Sequence, residues 1–206
     1  MYKIAYHKYG SQVLNDIYKT FPTKDYTPLK QEFYSRQYTF LTQNLEQVQQ
    51  ETTLATILKK YPEKRKNIIQ SQYDILQKVM DKELLDKLYF HDLLHDYVSC
   101  CTTEELNDNE IVSTLCNTHS MPLLSSKIGA LVYCKLCKIG TSKDRKQIIK
   151  DLLQNENSVK DYMLNKDSFI GILTLLQVTD DTKATGKIIK SLFANEQISA
   201  PTRKEE

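Results

Sequence analysis

Turn-forming residues are scarce in this chain of 206 residues, which holds five glycines and five prolines. Both punctuate tight turns, so their scarcity argues against a turn-rich fold and for long helices joined by few sharp turns. Long apolar runs are missing too. No stretch approaches the roughly 18 residues a membrane-spanning helix needs, so no membrane span is expected. The opening "MYKIAYHKYG" has no apolar core of a secretion signal, and no signal peptide is expected there. Charge of one sign is also lacking: the net charge is +2. Nucleic-acid binding, if present, must come from local clustering. Cysteine is used five times, at Cys100, Cys101, Cys116, Cys134 and Cys137. An odd count without framework spacing argues against a disulfide scaffold and fits a reducing compartment. The length allows one large domain or two small ones, with a sizeable core.

What is present is a period. Shifted forward by 40, "IGALVYCKLCKIGTSKDRKQIIKDLL" lands without a gap on "SFIGILTLLQVTDDTKATGKIIKSLF". Val132 falls on Ile172, Leu136 on Leu176, Lys143 on Lys183, and Ile148, Ile149, Lys150 and Leu152 on Ile188, Ile189, Lys190 and Leu192. A weaker copy, "TTEELNDNEIVSTLC", precedes the middle one by 37 residues. Two helices per unit at this period is the mark of an α-solenoid, because one helix pair cannot cover its own apolar face and must stack on the next. The first helix of each unit (about 127–138 and 168–177) is apolar nearly all round and is expected to be buried. A polar turn follows, and the second helix then carries one apolar stripe. Thr141 or Ser142 is expected to cap the middle second helix, and Asp181 or Thr182 the last.

The N-terminal half also reads as helical. "GSQVLNDIYKTF" places Val13, Leu14, Ile17, Tyr18 and Phe21 on one face. Pro22 and Pro28 are expected to break the chain before a helix over "LKQEFYSRQYTFLTQNL". Pro62 is expected to separate one helix from the next, "DKELLDKLYFHDLLHDYVSCC" reads as one long helix, and the polar tail 195–206 is expected to be disordered.

Catalytic patterns are thin. "HDLLH" puts His91 and His95 four apart, as zinc ligands on a helix would be, but the acid is Asp92 rather than Glu and no third ligand is evident. Cys134 and Cys137 form one lone C-x-x-C inside an apolar helix, where packing is the simpler role. "GTSKDRK" lacks the spacing of a phosphate-gripping loop. The reading is of a non-enzyme with no cofactor and no metal.

Two basic clusters remain, with a repeat-related third. "KKYPEKRK" carries Lys59, Lys60, Lys64, Arg65 and Lys66. "KIGTSKDRKQIIK" carries Lys138, Lys143, Arg145, Lys146 and Lys150, and Lys183, Lys187 and Lys190 recur near equivalent positions. Charges repeating at a solenoid's period line up into a stripe, which suits a phosphate backbone. The plainer alternative is a solvated helix face.

The segments "LLSSKIGALVYCKLCKIGTSKDRKQIIKDLL" and "LNKDSFIGILTLLQVTDDTKATGKIIKSLF" resemble the C-terminal region of the Puf-A group of Pumilio-like proteins, with "GTSKDRK" and "DDTK" the most specific stretches. "HKYGSQVL" is similar to the RNA-facing helix of a Pumilio repeat, "EFYSRQYTF" to the stretch between repeat blocks, and "LYFHDLLHDYV" to the start of the CPL domain. The resemblance implies stacked Pumilio or armadillo-like helical repeats. Residues 1–50 would be a partial repeat with connecting helices and 51–194 a CPL-like repeat region. It further implies a nucleolar or nuclear assembly factor for the large ribosomal subunit. Such a factor would bind pre-ribosomal RNA, and duplex DNA as a further partner, through basic surfaces, and would meet pre-60S ribosomal proteins or assembly factors. Family members are longer and carry more repeats before this point. Because "YHKYGSQVL" is the second half of a repeat, the chain is expected to be a fragment or a reduced form with an uncapped apolar end.

A base-reading Pumilio repeat offers polar and stacking side chains from one helix. Only the first repeat here has such a set, Ser11, Gln12 and Asn15 after Tyr9, with Gln12 where a stacking aromatic or Arg is usual. The middle repeat offers Ala130, Leu131 and Cys134, and the last Phe169, Ile170 and Leu173. The expected function is therefore sequence-independent RNA binding in ribosome assembly and rRNA processing. The alternative is a protein-binding helical scaffold or a translational repressor of mRNA.

Overall fold

The computed structural model describes residues 2–34, 53–117, 120–154 and 158–193. All regular structure among them is helical, as the repeat reading requires. The first elements are α1 (Tyr2–Ala5), α2 (Lys8–Thr20) and α3 (Thr23–Tyr34). Then come α4 (Leu54–Lys60), a 3-10 turn (Pro62–Lys64), α5 (Arg65–Met80) and α6 (Leu88–Cys100). After α7 (Thr103–Asp108), α8 (Ile111–Asn117) and a second 3-10 turn (Met121–Ser125), the two clearest repeats follow. These are α9 (Lys127–Ile139) with α10 (Ser142–Leu152), then α11 (Ser158–Leu164), α12 (Phe169–Val178) and α13 (Thr182–Phe193).

Two layers result. Helices α2, α6, α9 and α12 pack each on the next in one layer, and α8, α10 and α13 do so in the other. Helices α6 and α9 run parallel. Ser126, before α9, meets His91 near the start of α6, and Lys135 Nζ reaches Ser99 Oγ near its end at 3.0 Å. The sequence period becomes a physical contact between α9 and α12, where the Thr174 hydroxyl meets the Cys134 sulfur 3.3 Å away and 40 residues apart. Between the layers, Val132, Tyr133, Leu136, Cys137, Ile148 and Leu152 are buried to 0 %. Each such side chain contributes about 1.5–3 kcal/mol against exposure, so adjacent units hold one another.

Several expectations need correction. The long helix over 81–101 begins only at Leu88. The chain leaves α5 through a left-handed Glu83 (φ 56), with Leu84 N–H donating to Val79 O and Glu83 N–H to Met80 O, a closure that ends a helix. α6 then starts where Asn15 Oδ1 of α2 accepts from Leu88 N at 2.8 Å, a tertiary cap invisible in the local pattern. The upstream copy is two helices, α7 and α8, divided at a left-handed Glu110 (φ 52). Pro28 does not break the chain; it lies inside α3, on an exposed side where water can take the carbonyl it leaves free. Val13 and Phe21 are exposed, while α2 buries Leu14 and Tyr18 together with Ser11 and Asn15. Ile189 is exposed although its repeat mate Ile149 is buried, since Ile149 faces the α12–α13 turn and no described helix lies beyond α13. The first helices α9 and α12 are not buried all round: Ile128, Leu131, Phe169, Ile170 and Leu173 reach solvent. The tail 195–206 and most of the helix expected over 29–45 lie outside the described residues.

Candidate nucleic-acid interface

Helices α10 and α13 pack against each other in the second layer. α10 puts Asp144, Ile148 and Leu152 inward, so Lys143, Lys146 and Lys150, at spacings of three and four, share the opposite, exposed face. On α13 Ile188 is buried, and Lys183, Lys187 and Lys190 occupy the exposed face in the same way. Lys143 with Lys183 and Lys150 with Lys190 are strict repeat mates. None of the six makes an ion pair among the described residues. The stripe stops there. One unit upstream the positions of Lys143 and Lys146 hold Leu106 and Asn109, beside exposed Glu104, Asp108 and Glu110.

The two arginines of the basic clusters are turned inward. Arg145 Nη1 donates to Gly140 O at 2.6 Å and to Cys137 O at 3.5 Å, closing carbonyls at the end of α9. Arg65 donates to Cys100 O at 2.8 Å, closing the end of α6 in the same fashion, and grips Glu105 through two bonds of 3.0 and 2.7 Å. The hydrogen bond from Arg65 holds the Glu105 carboxyl below its usual range. Of the cluster at 59–66, Lys59, Lys60 and Lys66 stay exposed. Lys60 and Lys64 each place their ammonium 5.6 Å from the Tyr61 ring. Arg65 anchors this cluster at the C-terminal end of α6.

The turn at 140–144 is occupied by protein groups. Thr141 Oγ1 accepts from Asp144 N, and Asp144 Oδ2 takes both the Thr141 N–H and its hydroxyl at 2.8 Å. Thr141 is thus the cap, and a carboxylate already sits where a phosphate would meet the helix N-terminus. At α13 the cap is Asp181, whose Oδ1 accepts from Lys183 N and Ala184 N. The Ala184 and Lys183 N–H groups, with the nearby Lys146 and Lys183 charges, hold its carboxyl below the usual range. A cleft of about 280 Å³ between α10 and this turn sets Arg145 and Lys146 against Asp180 and Asp181, so its charges largely cancel.

The base-reading set is divided. Tyr9 (70 % exposed) and Gln12 face solvent, Gln12 bonding Asp16 at 2.9 Å. Ser11 and Asn15 are buried at 1 and 2 %, Ser11 donating to Lys8 O and Asn15 capping α6. Burial removes two of the four from any base edge.

His91 and His95 do not converge. His91 is fully buried with both ring nitrogens bonded at 2.7 Å, to Ser126 Oγ and Leu85 O, while His95 is partly exposed beside Asp96. Among the described residues no group of three or more metal-ligating side chains gathers. Cys134 and Cys137 are buried, and burial pushes the Cys137 thiol far up. No helix among the described residues is long and apolar enough to cross a membrane.

Sequence reasoning missed one charged knot. Lys30 of α3 bridges Asp92 and Asp96 of α6, both at 2.8 Å, and the Tyr34 hydroxyl donates to Asp96. Burial raises the Asp92 carboxyl despite Lys30; at Asp96 burial is outweighed by the neighbouring His95, Lys30 and Tyr34 groups, which hold the carboxyl low. Two acids one helical turn apart on an apolar helix were the available signal.

No family model matches the chain. It is 23 % identical over 199 residues to the Pumilio homology domain family member 6 of Schizosaccharomyces pombe, covering 94 % of this chain and 29 % of that protein. It is 23 % identical over 187 residues to Pumilio homolog 24 of Arabidopsis thaliana, covering 89 % and 28 %. It is 27 % identical over 138 residues to the Drosophila melanogaster protein penguin, covering 66 % and 18 %. The chain therefore spans under a third of the length of these relatives. The similarity is distant and supports a Pumilio-like chain without singling out one group among such proteins.

Proposed function

We propose that this chain is a non-enzymatic RNA-binding module that grips phosphates without reading bases, and that it serves assembly of the large ribosomal subunit in the nucleolus. The observation that carries the binding mode is the set of six exposed lysines on the adjoining helices α10 and α13, none in a direct ion pair among the described residues, with Asp181 near Lys146 and Lys183. A stripe of point-charge lysines favours the phosphate backbone over base edges. Support for the ribosomal role comes from the Puf-A resemblance, while the distant similarity to Pumilio-type proteins supports RNA binding in general. The exposed lysines at 59–66 would form a second, separate contact, and pre-60S proteins would be the neighbours.

The test is binding of the chain to a structured RNA, an unrelated RNA and duplex DNA across a salt series. Comparable affinities with a steep salt slope are expected. The variant combining Lys143→Ala, Lys150→Ala, Lys183→Ala and Lys190→Ala should weaken all three alike. Its salt slope should flatten by about 0.7 per lost contact on single strands and about 0.9 on duplex DNA. These side chains are exposed, so the melting temperature serves as a control. Unchanged affinity at low salt would remove this face from the function.

A further inference from the structure

Twelve large apolar side chains are exposed among the described residues, and five of them sit on α9 and α12: Ile128, Leu131, Phe169, Ile170 and Leu173, at 37–43 %. The concentration is the informative point, because scattered exposed apolar residues are ordinary and a contiguous patch is not. Ile128 and Leu131 lie one turn apart on α9, and Ile170 and Leu173 one turn apart on α12. The two helices are close neighbours, with Cys134 against Thr174 and Gly171 pressed onto Tyr133 and Leu124. The two strips therefore adjoin.

Along α9 and α12 themselves the charge has one sign, the aspartates Asp167, Asp180 and Asp181 falling in the turns at the ends of α12. α12 contains no charged residue, and every charged residue from 127 to 143 is a lysine. Lys127 and Lys138 are exposed, and Lys135 spends its ammonium on a serine hydroxyl rather than a carboxylate. Among the five apolar residues only Phe169 offers an aromatic plane and none offers a hydrogen bond, which suits nucleobases poorly.

We infer that this face docks an amphipathic helix of a partner protein, its apolar side laid on Leu131 and Leu173 and its flanks carrying Asp or Glu towards Lys127 and Lys138. Apolar anchors at helical spacing with complementary rim charge are the requirements of helix-in-groove recognition. The inference is independent of the phosphate-gripping reading, whose lysines lie on α10 and α13.

The experiment uses fluorescent synthetic peptides of roughly 18 residues, about five helical turns. One has a leucine seam flanked by Glu, the second has Lys in place of Glu, and the third is a scramble of the first. The Glu peptide is expected to bind the full chain and the other two roughly tenfold or more weakly. Leu131→Asp with Leu173→Asp should lose binding by a similar factor at an unchanged melting temperature. Lys127→Glu with Lys138→Glu should invert the preference between the Glu and Lys peptides, which a merely sticky patch would not do. Failure of the Glu peptide to bind, equal binding of the Lys peptide, or indifference to both double variants would overturn the inference. A loss of RNA affinity in the leucine variant, with peptide binding intact, would overturn it in favour of RNA on this face.

Discussion

At the scale of single residues, His91 illustrates how a reactive-looking group is used for structure. Leu85 O can only accept, so His91 Nε2 carries the proton and donates to it; the Ser126 hydroxyl donates to Nδ1 while its oxygen accepts from Gly129 N at 3.0 Å. One imidazole thus holds the cap of α9. Burial lowers its pKa against smaller opposing effects from Leu85 O and Asp86. With the folded value depressed, the unfolded chain takes up the proton first as pH falls below about 6.5. Stability is complete above that value and is lost as pH falls towards the folded pKa, by at most about 1.4 kcal/mol per pH unit. Denaturant melts between about pH 7.5 and 5.5 should show the decline, and His91→Gln should flatten it. Other groups act elsewhere: raised Asp92 pulls the opposite way at lower pH, and the depressed Glu105 adds a loss only below about pH 4.5. A pair of His four apart was visible in the sequence. That one ring would be enclosed between α6 and the start of α9 was not, because its partner Ser126 is 35 residues away.

At the scale of elements, helix ends and close approaches decide the geometry. A Cβ on Gly129 would stand 2.1 Å from Leu123 O and 2.8 Å from His91 Nδ1, whereas one on Gly186 would meet nothing within 4 Å. Gly129→Ala should therefore destabilise by about 1–3 kcal/mol through overpacking. Gly186→Ala, inside α13, should stabilise by about 0.5–1 kcal/mol by restricting the unfolded chain. Denaturant melts of the two variants should give opposite signs, because Gly129 is pressed against Leu123 of the second 3-10 turn and His91 of α6, and Gly186 against nothing. The caps at Thr141 and Asp181 were each one of two candidates in the sequence, since both neighbours carry the right oxygen. Which one turns back onto the helix depends on backbone dihedrals, and Thr141 has the extended conformation a cap needs (φ −71, ψ 168). In the sequence Arg65 and Arg145 look like members of the cationic surface, because charge is what a sequence displays. Their guanidinium groups instead close the carbonyls of α6 and α9, which only appear as partners once the helices end there.

At the scale of the whole molecule, stacking makes stability a property of neighbours. α9 is held by α6 on one side and α12 on the other, while α13 has described neighbours on one side only. Units with fewer neighbours open at lower free energy. Amide hydrogen exchange should accordingly be slowest in α6 and α9 and faster by orders of magnitude in α13. Uniform protection across all of them would contradict nearest-neighbour stacking.

The sequence by itself determined the helical class, the 40-residue unit and most of the buried stripe, because apolar spacing, turn residues and caps act within a few residues of one another. It also placed the lysines of α10 and α13 on the faces opposite Ile148 and Ile188, since a helix makes that assignment locally. The tertiary structure alone decided which charges remain free, which polar residues are buried and which apolar ones are not. Asn15 is spent on Leu88, Arg65 on Cys100 and Glu105, and Lys30 on two aspartates, while Leu131 and Leu173 are left in solvent. Each outcome depends on a partner supplied by another helix, and stacking, not local spacing, chooses that partner.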